Sequence, residues 1–395
     1  MRTLLPCLVL FLCYLLWERI ALSRSQRRIP LRIAVTGTRG KSSVARLLAS
    51  ILREDGRSVV AKTTGSQAVI LLPDGGQIEL DRSATPSILE QKQLVHKAAR
   101  LKADILVAEV MSIHPENHFV EAHKILRPNL VAITNVRRDH TETMGETEEQ
   151  IASVLSLDIC ARATVFLPAR EEYASFRAEA RRCNAILIPV PIGSSAPLLR
   201  SAPDLGRLQF AENLDLVCAV AAHLGVKQQD IIEGIRKAQH DIGRLGVWLY
   251  RPTDPERTIY LVNAFAANDP ESTLQVLDKV TDMLPAASGN IIGILNLRAD
   301  RLPRTLQWIS VLKGGGSRRF LRLFMVGEHS GAIRRRLPEA RVLKAGPPEK
   351  MMRAVCAEAT EPAIIFGFGN MKGSGRLLVE HWSSIGRPYE SGSWS

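Results

Sequence analysis

The strongest structural signal in this chain is a glycine turn between an apolar run and an amphipathic stretch. Leu31–Thr36 is mostly apolar and is typical of a buried strand, and Gly37–Gly40 form the turn. Ser43–Glu54 then carry leucine and isoleucine at helical spacing and end at a glycine. A strand that leads through glycines into a helix is the opening unit of a parallel sheet covered by helices, so the sequence predicts an α/β fold.

The same alternation continues along the chain and predicts two domains. Apolar runs recur at 105–110, 130–136, 164–168 and 185–190, and a second set occupies 258–263, 291–297, 321–326 and 363–367. Helical patterns separate these runs, and residues 189–206 are rich in Pro, Ser and Gly and are expected to form a surface loop. We expect a membrane anchor at 1–25, a first α/β domain that carries the glycine turn at 30–245, a second Rossmann-like α/β domain at 246–385 and a flexible tail at 386–395.

The N-terminal segment predicts where the protein resides. Leu4–Trp17 is an uninterrupted apolar run, and Ile20–Leu22 extend it beyond two charged residues toward the roughly 20 residues that a membrane span needs. No small-x-small cleavage site precedes the arginines that follow, which favours an uncleaved anchor over a signal peptide. Because the positive charge follows the segment, we expect a single-pass protein of the inner (cytoplasmic) membrane with its main body in the cytoplasm.

Composition limits the partners of the chain. It has 395 residues, 46% of them hydrophobic, and a formal net charge of +12, which excludes an acidic disordered protein and indicates an anionic partner. Aromatic residues make up only 5%, so stacking platforms for nucleic acid are sparse and we expect no nucleic-acid partner. The six cysteines are scattered and include no metal-type C-x-x-C pair, which indicates a reduced, cytoplasmic compartment without a disulfide framework.

The glycine turn has the composition of a phosphate-binding loop. Glycines at positions 37 and 40 allow backbone amides and a helix N-terminus to face phosphate oxygens. Lys41 adds a charge for the outer phosphates, and the Ser42 hydroxyl is a ligand suited to Mg²⁺. We therefore expect ATP and Mg²⁺ as cofactors. The predicted nucleotide contacts in the loop are Gly37, Thr38, Arg39, Gly40, Lys41, Ser42 and Ser43.

The spacing of this loop resembles that of the Mur ligase superfamily, ATP-dependent enzymes that form amide bonds. Two residues separate its glycines, where the ordinary Walker loop has four. Glu109, at the end of an apolar run, matches the acidic magnesium ligand of that family. Asn135 and His140, in Thr134–His140, match its Asn-x-x-x-Asp-His signature. The resemblance implies that Lys41, Glu109 and His140 are catalytic, that Ser42, Glu109 and His140 hold metal, and that Asn135 lies on the nucleotide side.

Two segments of the second domain extend the resemblance. Asn263–Pro270 looks like the family segment that meets the nucleotide when the domains close, which implies a nucleotide contact at Asn268. Leu297–Arg301 looks like the segment whose aspartate holds the ribose, which implies the same role for Asp300. Both segments follow predicted strands, where ligands bind in open α/β sheets.

Together with the anchor and Gly367–Asn370, these motifs resemble the ligase subunits of poly-γ-glutamate synthases, the capsule biosynthesis B type, over roughly residues 1–385. That resemblance implies an ADP-forming ligase that joins glutamate to a growing poly-γ-glutamate chain through an acyl phosphate. It also implies small membrane subunits of an export complex as partners, and membrane lipid around the N-terminal helix. One feature departs from many Mur ligases, because Thr141–Cys160 contains no lysine that could be carbamoylated.

Two other functions remain open from the sequence. A ligase of the same superfamily with a folate or cell-wall acceptor is one, although the anchor and the missing N-terminal sugar-nucleotide domain speak against it. A membrane ATPase that drives assembly or export without forming an amide is the other. Its turnover would be indifferent to glutamate.

A strongly basic stretch offers separate support for an acidic polymer. Between Arg298 and Lys344 there are twelve Lys or Arg and three Asp or Glu. A field of one sign attracts a polyanion, so this stretch is suited to drawing in an acidic chain. A face lying against anionic lipid beside the anchor is the equally weighted alternative.

Overall fold

The computed structural model describes residues 4–65, 68–80, 87–202, 205, 211–239, 245–252, 257–267, 270–284, 290–299, 302–328 and 330–389. The chain forms two compact units, Met1–Asp241 and Ile242–Ser395. The domain boundary placed at 245/246 from the sequence thus lies four residues beyond this division.

The first unit alternates strands and helices along most of its length. In chain order its elements are α1 (Leu4–Arg27), β1 (Leu31–Thr36), α2 (Lys41–Glu54), β2 (Val59–Thr63), β3 (Val69–Leu71), β4 (Gln77–Glu79), α3 (Leu89–Arg100), β5 (Ile105–Glu109), α4 (Pro115–Phe119), a π-helical turn (Val120–Leu126), β6 (Leu130–Ile133), α5 (Thr141–Met144), α6 (Glu148–Ser156), β7 (Thr164–Pro168), a 3₁₀ turn (Ala169–Glu171), α7 (Ala174–Arg182), β8 (Ile186–Val190), α8 (Ala196–Ser201), α9 (Ala211–His223) and α10 (Gln228–Lys237).

The second unit follows the same alternation. Its elements are β9 (Gly246–Tyr250), β10 (Ile259–Asn263), α11 (Pro270–Met283), β11 (Ile291–Leu297), α12 (Leu302–Lys313), a 3₁₀ turn (Gly316–Arg319), β12 (Arg322–Gly327), α13 (Ser330–Ile333), β13 (Arg341–Val342), α14 (Pro348–Cys356), β14 (Ala363–Gly369), α15 (Ser374–Ile385) and β15 (Arg387–Pro388).

The first unit is built on a sheet with the strand order β4-β3-β2-β5-β1-β6-β7-β8 in the described residues. The strands from β2 to β8 in that order run parallel, and β3 and β4 add an antiparallel edge. β1 lies between β5 and β6, with Val35 opposite both Glu109 and Ala132. The carboxyl end of β1 therefore adjoins the ends of both neighbours, which is where ligands bind in open α/β sheets.

The second sheet has the order β13-β12-β11-β14-β10-β9-β15 in the described part of its unit. The strands from β13 to β10 run parallel, whereas β9 and β15 are antiparallel. The central strands β11 and β14 are buried along their whole length and read as near-continuous apolar runs. Strands covered on both faces by helices require that pattern, so the expected α/β class with two sheets is confirmed.

The helix α1 has two halves with different surroundings. Its first part is apolar and exposed, and Leu10 retains 70% of its accessible surface. Its last turns lie against the first unit, with Leu22 and Gln26 buried and a Glu18–Lys92 ion pair at 2.9 Å. Among the described helices, Leu5–Arg27 alone is long and apolar enough to cross a membrane, by length and composition. Its 23 residues are about 35 Å long, against a hydrocarbon core of about 30 Å.

Two local expectations were wrong. The stretch 189–206, expected to be a loop, contains α8, because the buried Asp215 carboxylate accepts hydrogen bonds from Gly193 N at 2.8 Å and Ser195 N at 2.7 Å and anchors the start of the helix. The expected tail at 386–395 begins as strand β15, which pairs with β9, and Tyr389 N donates to Val247 O at 2.8 Å. Residues 390–395 lie outside the described residues.

Candidate active site

The glycine loop connects β1 to α2 and is shaped by two residues in left-handed backbone conformations. Gly37 has φ 120° and Gly40 has φ 80°. A Cβ at Gly37 would lie 2.3 Å from Thr134 Oγ1, and one at Gly40 would lie 2.7 Å from Asn213 Oδ1. Both the backbone conformation and the lack of space therefore require glycine at these positions.

The segment after β6 holds the loop in place. Asn135 Oδ1 accepts hydrogen bonds from Thr38 Oγ1 at 2.8 Å and Arg39 N at 3.0 Å, and Asn135 O accepts from Thr38 N at 3.0 Å. Thr134 Oγ1 donates to Arg39 O at 2.5 Å. These described bonds of Asn135, which the sequence placed on the nucleotide side, go to the backbone of Thr38 and Arg39 and to the Thr38 hydroxyl, so this residue fixes the shape of the loop.

Lys41 folds back over the loop that precedes it. Its Nζ donates to Gly37 O at 2.6 Å and Thr38 O at 3.4 Å. Burial lowers the pKa of Lys41, and the carboxylates of Glu109 and Asp139 oppose that shift. The amine thus lies above the loop in a charged, partly desolvated environment.

Ser42 and Glu109 meet because β1 and β5 are parallel neighbours. Ser42 Oγ donates to Glu109 Oε2 at 2.8 Å, and Thr64 N donates to the same oxygen at 2.6 Å. The pair places a hydroxyl and a carboxylate oxygen side by side at the first turn of α2. Hard divalent cations prefer such oxygen ligands.

The donor set can be compared with the needs of a magnesium–nucleotide complex. No group of three or more His, Cys, Asp or Glu suited to metal lies within the described residues. Mg²⁺ is usually held by one or two protein oxygens together with phosphate oxygens and water, so Ser42 and Glu109 fit this requirement. Glycine-shaped amides, Lys41 and this oxygen pair together fit the phosphates of ATP and their cation.

His140, the third predicted metal ligand, lies at the start of α5 in a left-handed conformation with φ 49°. Its ring nitrogens are 3.9 Å from Asp139 Oδ2 and 3.7 Å from Glu142 Oε1. Asp139 in turn lies 3.4 Å from Arg39 Nη2. The Asp-His segment is therefore tied to the loop through the Asp139–Arg39 pair.

A buried polar cluster behind the loop was missed by sequence reasoning. Thr36 Oγ1 donates to Asp158 Oδ2 at 2.6 Å, and His118 Nδ1 lies 3.0 Å from both carboxylate oxygens of Asp158. His118 Nε2 is buried without a hydrogen-bond partner. The only sequence signal was a histidine and an aspartate 40 residues apart, which does not reveal that they meet beneath the loop.

The second unit brings asparagines to the carboxyl ends of its parallel strands. Asn296, in β11, donates through Nδ2 to Asn370 O at 2.6 Å and to Lys372 O at 2.9 Å. Asn263, the last residue of β10, accepts a bond from Phe265 N at 3.3 Å. The predicted nucleotide contacts Asn268 and Asp300 lie outside the described residues.

Comparison with known proteins assigns both units. Residues 35–189 match the Mur ligase middle domain, and residues 249–385 match the poly-gamma-glutamate synthase CapB C-terminal domain. The two matches together contain the glycine loop, Glu109, Asn135 and His140, and the strands β10 to β14 of the second unit. The chain thus combines a Mur ligase middle domain with a CapB-type C-terminal domain.

Curated relatives of this CapB-type chain agree with that assignment. It is 30% identical to the capsule biosynthesis protein CapB of Bacillus anthracis over 305 residues, covering 76% of this chain and 64% of the relative. It is 28% identical to the PGA synthase CapB of Bacillus subtilis (strain 168) over 393 residues, covering 95% of this chain and 96% of the relative. The match thus spans just under two thirds of the first relative and nearly all of the second.

A solved structure supports the fold of this CapB-type chain. The bifunctional folylpolyglutamate synthase/dihydrofolate synthase of Yersinia pestis CO92, complexed with AMPPNP and Mn ion, superimposes with a TM-score of 0.66. The superposition covers 96% of this chain and 98% of that chain at 16% identity. At that identity the likeness establishes a shared Mur-ligase-like fold.

Proposed function

We propose that this chain is an ATP-dependent, ADP-forming amide ligase that extends poly-γ-glutamate. The observation that carries the proposal is the Lys41–Ser42–Glu109 arrangement on a loop that only glycine can form, in a chain with a CapB-type C-terminal domain. The bacterial relatives are named for capsule biosynthesis and PGA synthesis, which supports glutamate and its polymer as substrates. The domain with the loop, 30–245, binds ATP.

The chemistry that ATP supplies is activation of a carboxylate. Transfer of its γ-phosphoryl group gives an acyl phosphate, from which an incoming glutamate amine displaces phosphate to form the amide. The residues of this chain act by position and charge. Gly37 and Gly40 allow loop amides to face phosphate oxygens. The Lys41 amine leaves the carbonyl oxygens of Gly37 and Thr38 and donates to the phosphate oxygens instead. Ser42 and Glu109 provide oxygen ligands for Mg²⁺, and His140 is proposed as a further metal ligand.

The loop must keep its shape while charge builds up beside it. Asn135 holds the backbone at Thr38 and Arg39 through its carbonyl and amide oxygens, so the loop amides keep their orientation. Such preorganised donors need no reorganisation when the reacting group becomes more negative. We assign Asn268 and Asp300 to nucleotide contacts from the second domain, as the family motifs imply.

The membrane part of the proposal concerns α1. We propose that Leu5–Arg27 anchors the chain in the cytoplasmic membrane as a single pass, with the catalytic body in the cytoplasm where ATP is available. Small membrane subunits that export the polymer are the proposed partners. The exposed apolar side chains of the first part of the helix support this placement, because water does not stabilise such a surface.

Phosphate release by the purified, detergent-solubilised chain tests the proposal. With ATP and Mg²⁺, short γ-linked glutamate oligomers should stimulate turnover and become longer by mass. Lys41→Ala should lower this turnover by at least about 100-fold, as expected when a preorganised charge on the transferring group is lost. Lys227→Ala removes an exposed lysine of the same unit and should leave turnover unchanged. Turnover that depends on Lys41 but ignores glutamate, with no amide product, would instead identify an ATP-driven assembly or export protein.

A further inference from the structure

A cleft lined by arginines lies where the end of α1 meets the rest of the first unit. It has a volume of about 570 Å³, and its lining includes Arg27 of α1, Arg32 of β1, Arg127 before β6 and Arg162 before β7. A neighbouring hollow of about 540 Å³ shares Ser23, Gln26, His123 and Arg127 with it. None of the described residues that line the first cleft is Asp or Glu. The cleft therefore concentrates positive charge.

The arginines of the cleft repel one another. Burial lowers the pKa of Arg32, and the neighbouring charge of Arg127 lowers it further. The hydrogen bonds described for the Arg32 guanidinium go to backbone carbonyl oxygens, those of Gln26, Ile29, Leu126 and Arg127. These carbonyls orient the guanidinium but do not neutralise it. An anion in the cleft would relieve the repulsion.

Backbone conformation at the cleft is also unusual. Arg127 has φ 48° and Arg162 has φ 59°. Non-glycine residues rarely adopt the left-handed region, and only five do so among the described residues. Two of those five are exposed arginines that line this one cleft.

The cleft is separate from the phosphate loop. Arg32 is the second residue of β1, whereas the loop follows the last residue of that strand, Thr36. Arg32 and Thr36 are four residues apart in the strand, which is about 13 Å. The cleft and the loop therefore lie at opposite ends of the parallel strands. Neither ATP nor the reacting glutamate is expected at the amino ends of the strands, where the arginines lie.

The cleft is instead close to the expected membrane surface. A span of about 20 residues that starts at Leu4 ends near Ser23, and Ser23, Gln26 and Arg27 all line the cleft. The exposed apolar part of α1 thus leads directly to the cleft through Ser23, Gln26 and Arg27 of the same helix. Basic pockets at the cytoplasmic end of membrane helices are suited to anionic head groups.

We propose that this cleft binds the phosphodiester head group of an anionic phospholipid, with Arg27, Arg127 and Arg162 as its cationic contacts. The proposal rests on the membrane anchoring proposed above and goes beyond it by assigning a specific lipid site. Bound lipid would fix the first unit against the bilayer. The carboxyl ends of the strands and the glycine loop would then face away from the bilayer.

Lipid retention by the full-length chain tests this site. The purified protein in detergent is titrated with phosphatidylglycerol or phosphatidylcholine, and bound lipid is counted by native mass spectrometry. R127Q/R162Q removes two charges from the cleft, R127K/R162K keeps them, and R181Q/R200Q removes two exposed arginines elsewhere on the same unit. Inorganic phosphate and a short oligoglutamate serve as competitors.

Phosphatidylglycerol should bind the wild type more tightly than phosphatidylcholine. At about fivefold per arginine, R127Q/R162Q should weaken phosphatidylglycerol binding by roughly 25-fold, with little change in the other two variants. Equal binding of the two lipids by the wild type would overturn the proposal, and that comparison needs no variant to fold. Displacement of the lipid by inorganic phosphate or oligoglutamate at equal concentration would overturn it as well.

The observations that would contradict the proposed function differ from those that would contradict the lipid site. Loss of the wild type from membranes washed with carbonate would contradict the anchor. Absence of glutamate-stimulated phosphate release would contradict the ligase. R127Q/R162Q should keep that turnover in detergent, because the cleft and the loop lie at opposite ends of the parallel strands.

Discussion

Asp158 connects two buried side chains directly behind the glycine loop. It accepts the hydrogen bond of Thr36, the last residue of β1, and lies beside His118. Burial lowers the pKa of His118, but the charge of Asp158 and the hydrogen bond to it outweigh burial and raise it above its ordinary value. Glu121 adds to the upward shift and Lys41 opposes it. The pair therefore favours a charged imidazole close to the site.

Asp158→Asn should destabilise the chain. Breaking a buried ion pair by removing one partner leaves the other uncompensated, which costs about 3 kcal/mol of the free energy of unfolding. Urea denaturation at pH 6 measures the loss. Asp74→Asn, at an exposed turn, is the matched control and should change stability by less than about 0.5 kcal/mol.

The cost of Asp158→Asn should also depend on pH. The folded pKa of His118 lies above its unfolded value of about 6.5, so the stabilisation is complete below that value and is lost as pH rises through the folded pKa. The difference between wild type and variant should therefore be larger at pH 6 than at pH 9. An equal difference at both values would contradict a charged His118.

Among the elements, α1 combines two functions in one helix. Its first part is an exposed apolar surface, and its last turns form specific contacts with the first unit. Ser25 Oγ lies 2.9 Å from His96 Nδ1, and Gln26 Nε2 donates to Ile125 O at 2.7 Å. A helix that served only as an anchor would not need these contacts.

Truncations on either side of these contacts separate the two functions. A chain that starts at Glu18 should be soluble without detergent and should keep its thermal stability, because it retains the contacting turns. A chain that starts at Leu31 also loses the burial of Leu22 and Ile29 and should lose about 3 kcal/mol or more of unfolding free energy. Equal melting temperatures for the two chains would show that the last turns of α1 do not stabilise the body.

Short edge strands show which elements could not be predicted from the sequence. β4 reads Gln-Ile-Glu and is exposed, and β15 is only Arg387–Pro388. Neither has the apolar run or the alternation that identifies a strand. They form because the preceding edge strand offers unpaired backbone groups, which is a tertiary effect. The buried strands β1, β5 and β11 were predicted nearly to the residue, because burial on both faces requires continuous apolar side chains.

At the scale of the whole molecule, the net charge of +12 is unevenly distributed. Part of the basic stretch Arg298–Lys344 is paired, since Glu358 lies within ion-pair distance of Arg322 and Arg341. Arg334–Arg336 are exposed and contiguous, and so concentrate three positive charges at one place that faces solvent. The prediction that this stretch draws in an acidic polymer can therefore be tested at these three residues.

Charge reversal of Arg334, Arg335 and Arg336 to Glu should shorten the polymer, most clearly at low ionic strength where screening is weak. Polymer length is read by gel electrophoresis of the product. Reversal of Arg177, Arg181 and Arg200, exposed arginines of the first unit, is the control. Unchanged length together with altered membrane attachment would support the lipid-facing alternative for this stretch.

The sequence by itself determined the α/β class, the glycine loop with Lys41 and Ser42, the family and the apolar N-terminal helix. Each of these depends on residues that are close together in the chain or on a periodic pattern, so local chemistry was sufficient. Asn135 was identified by its motif, but its hydrogen bonds to the loop backbone were not.

Only the tertiary structure decided which distant residues meet. The parallel pairing of β1 with β5 brings Glu109 to Ser42, and the packing behind the sheet brings Asp158 to Thr36. At the amino ends of the strands, Arg127 and Arg162 line the same cleft. Strand order and register set these contacts, and neither has a signature in local sequence because both depend on the free energy of the whole packed unit.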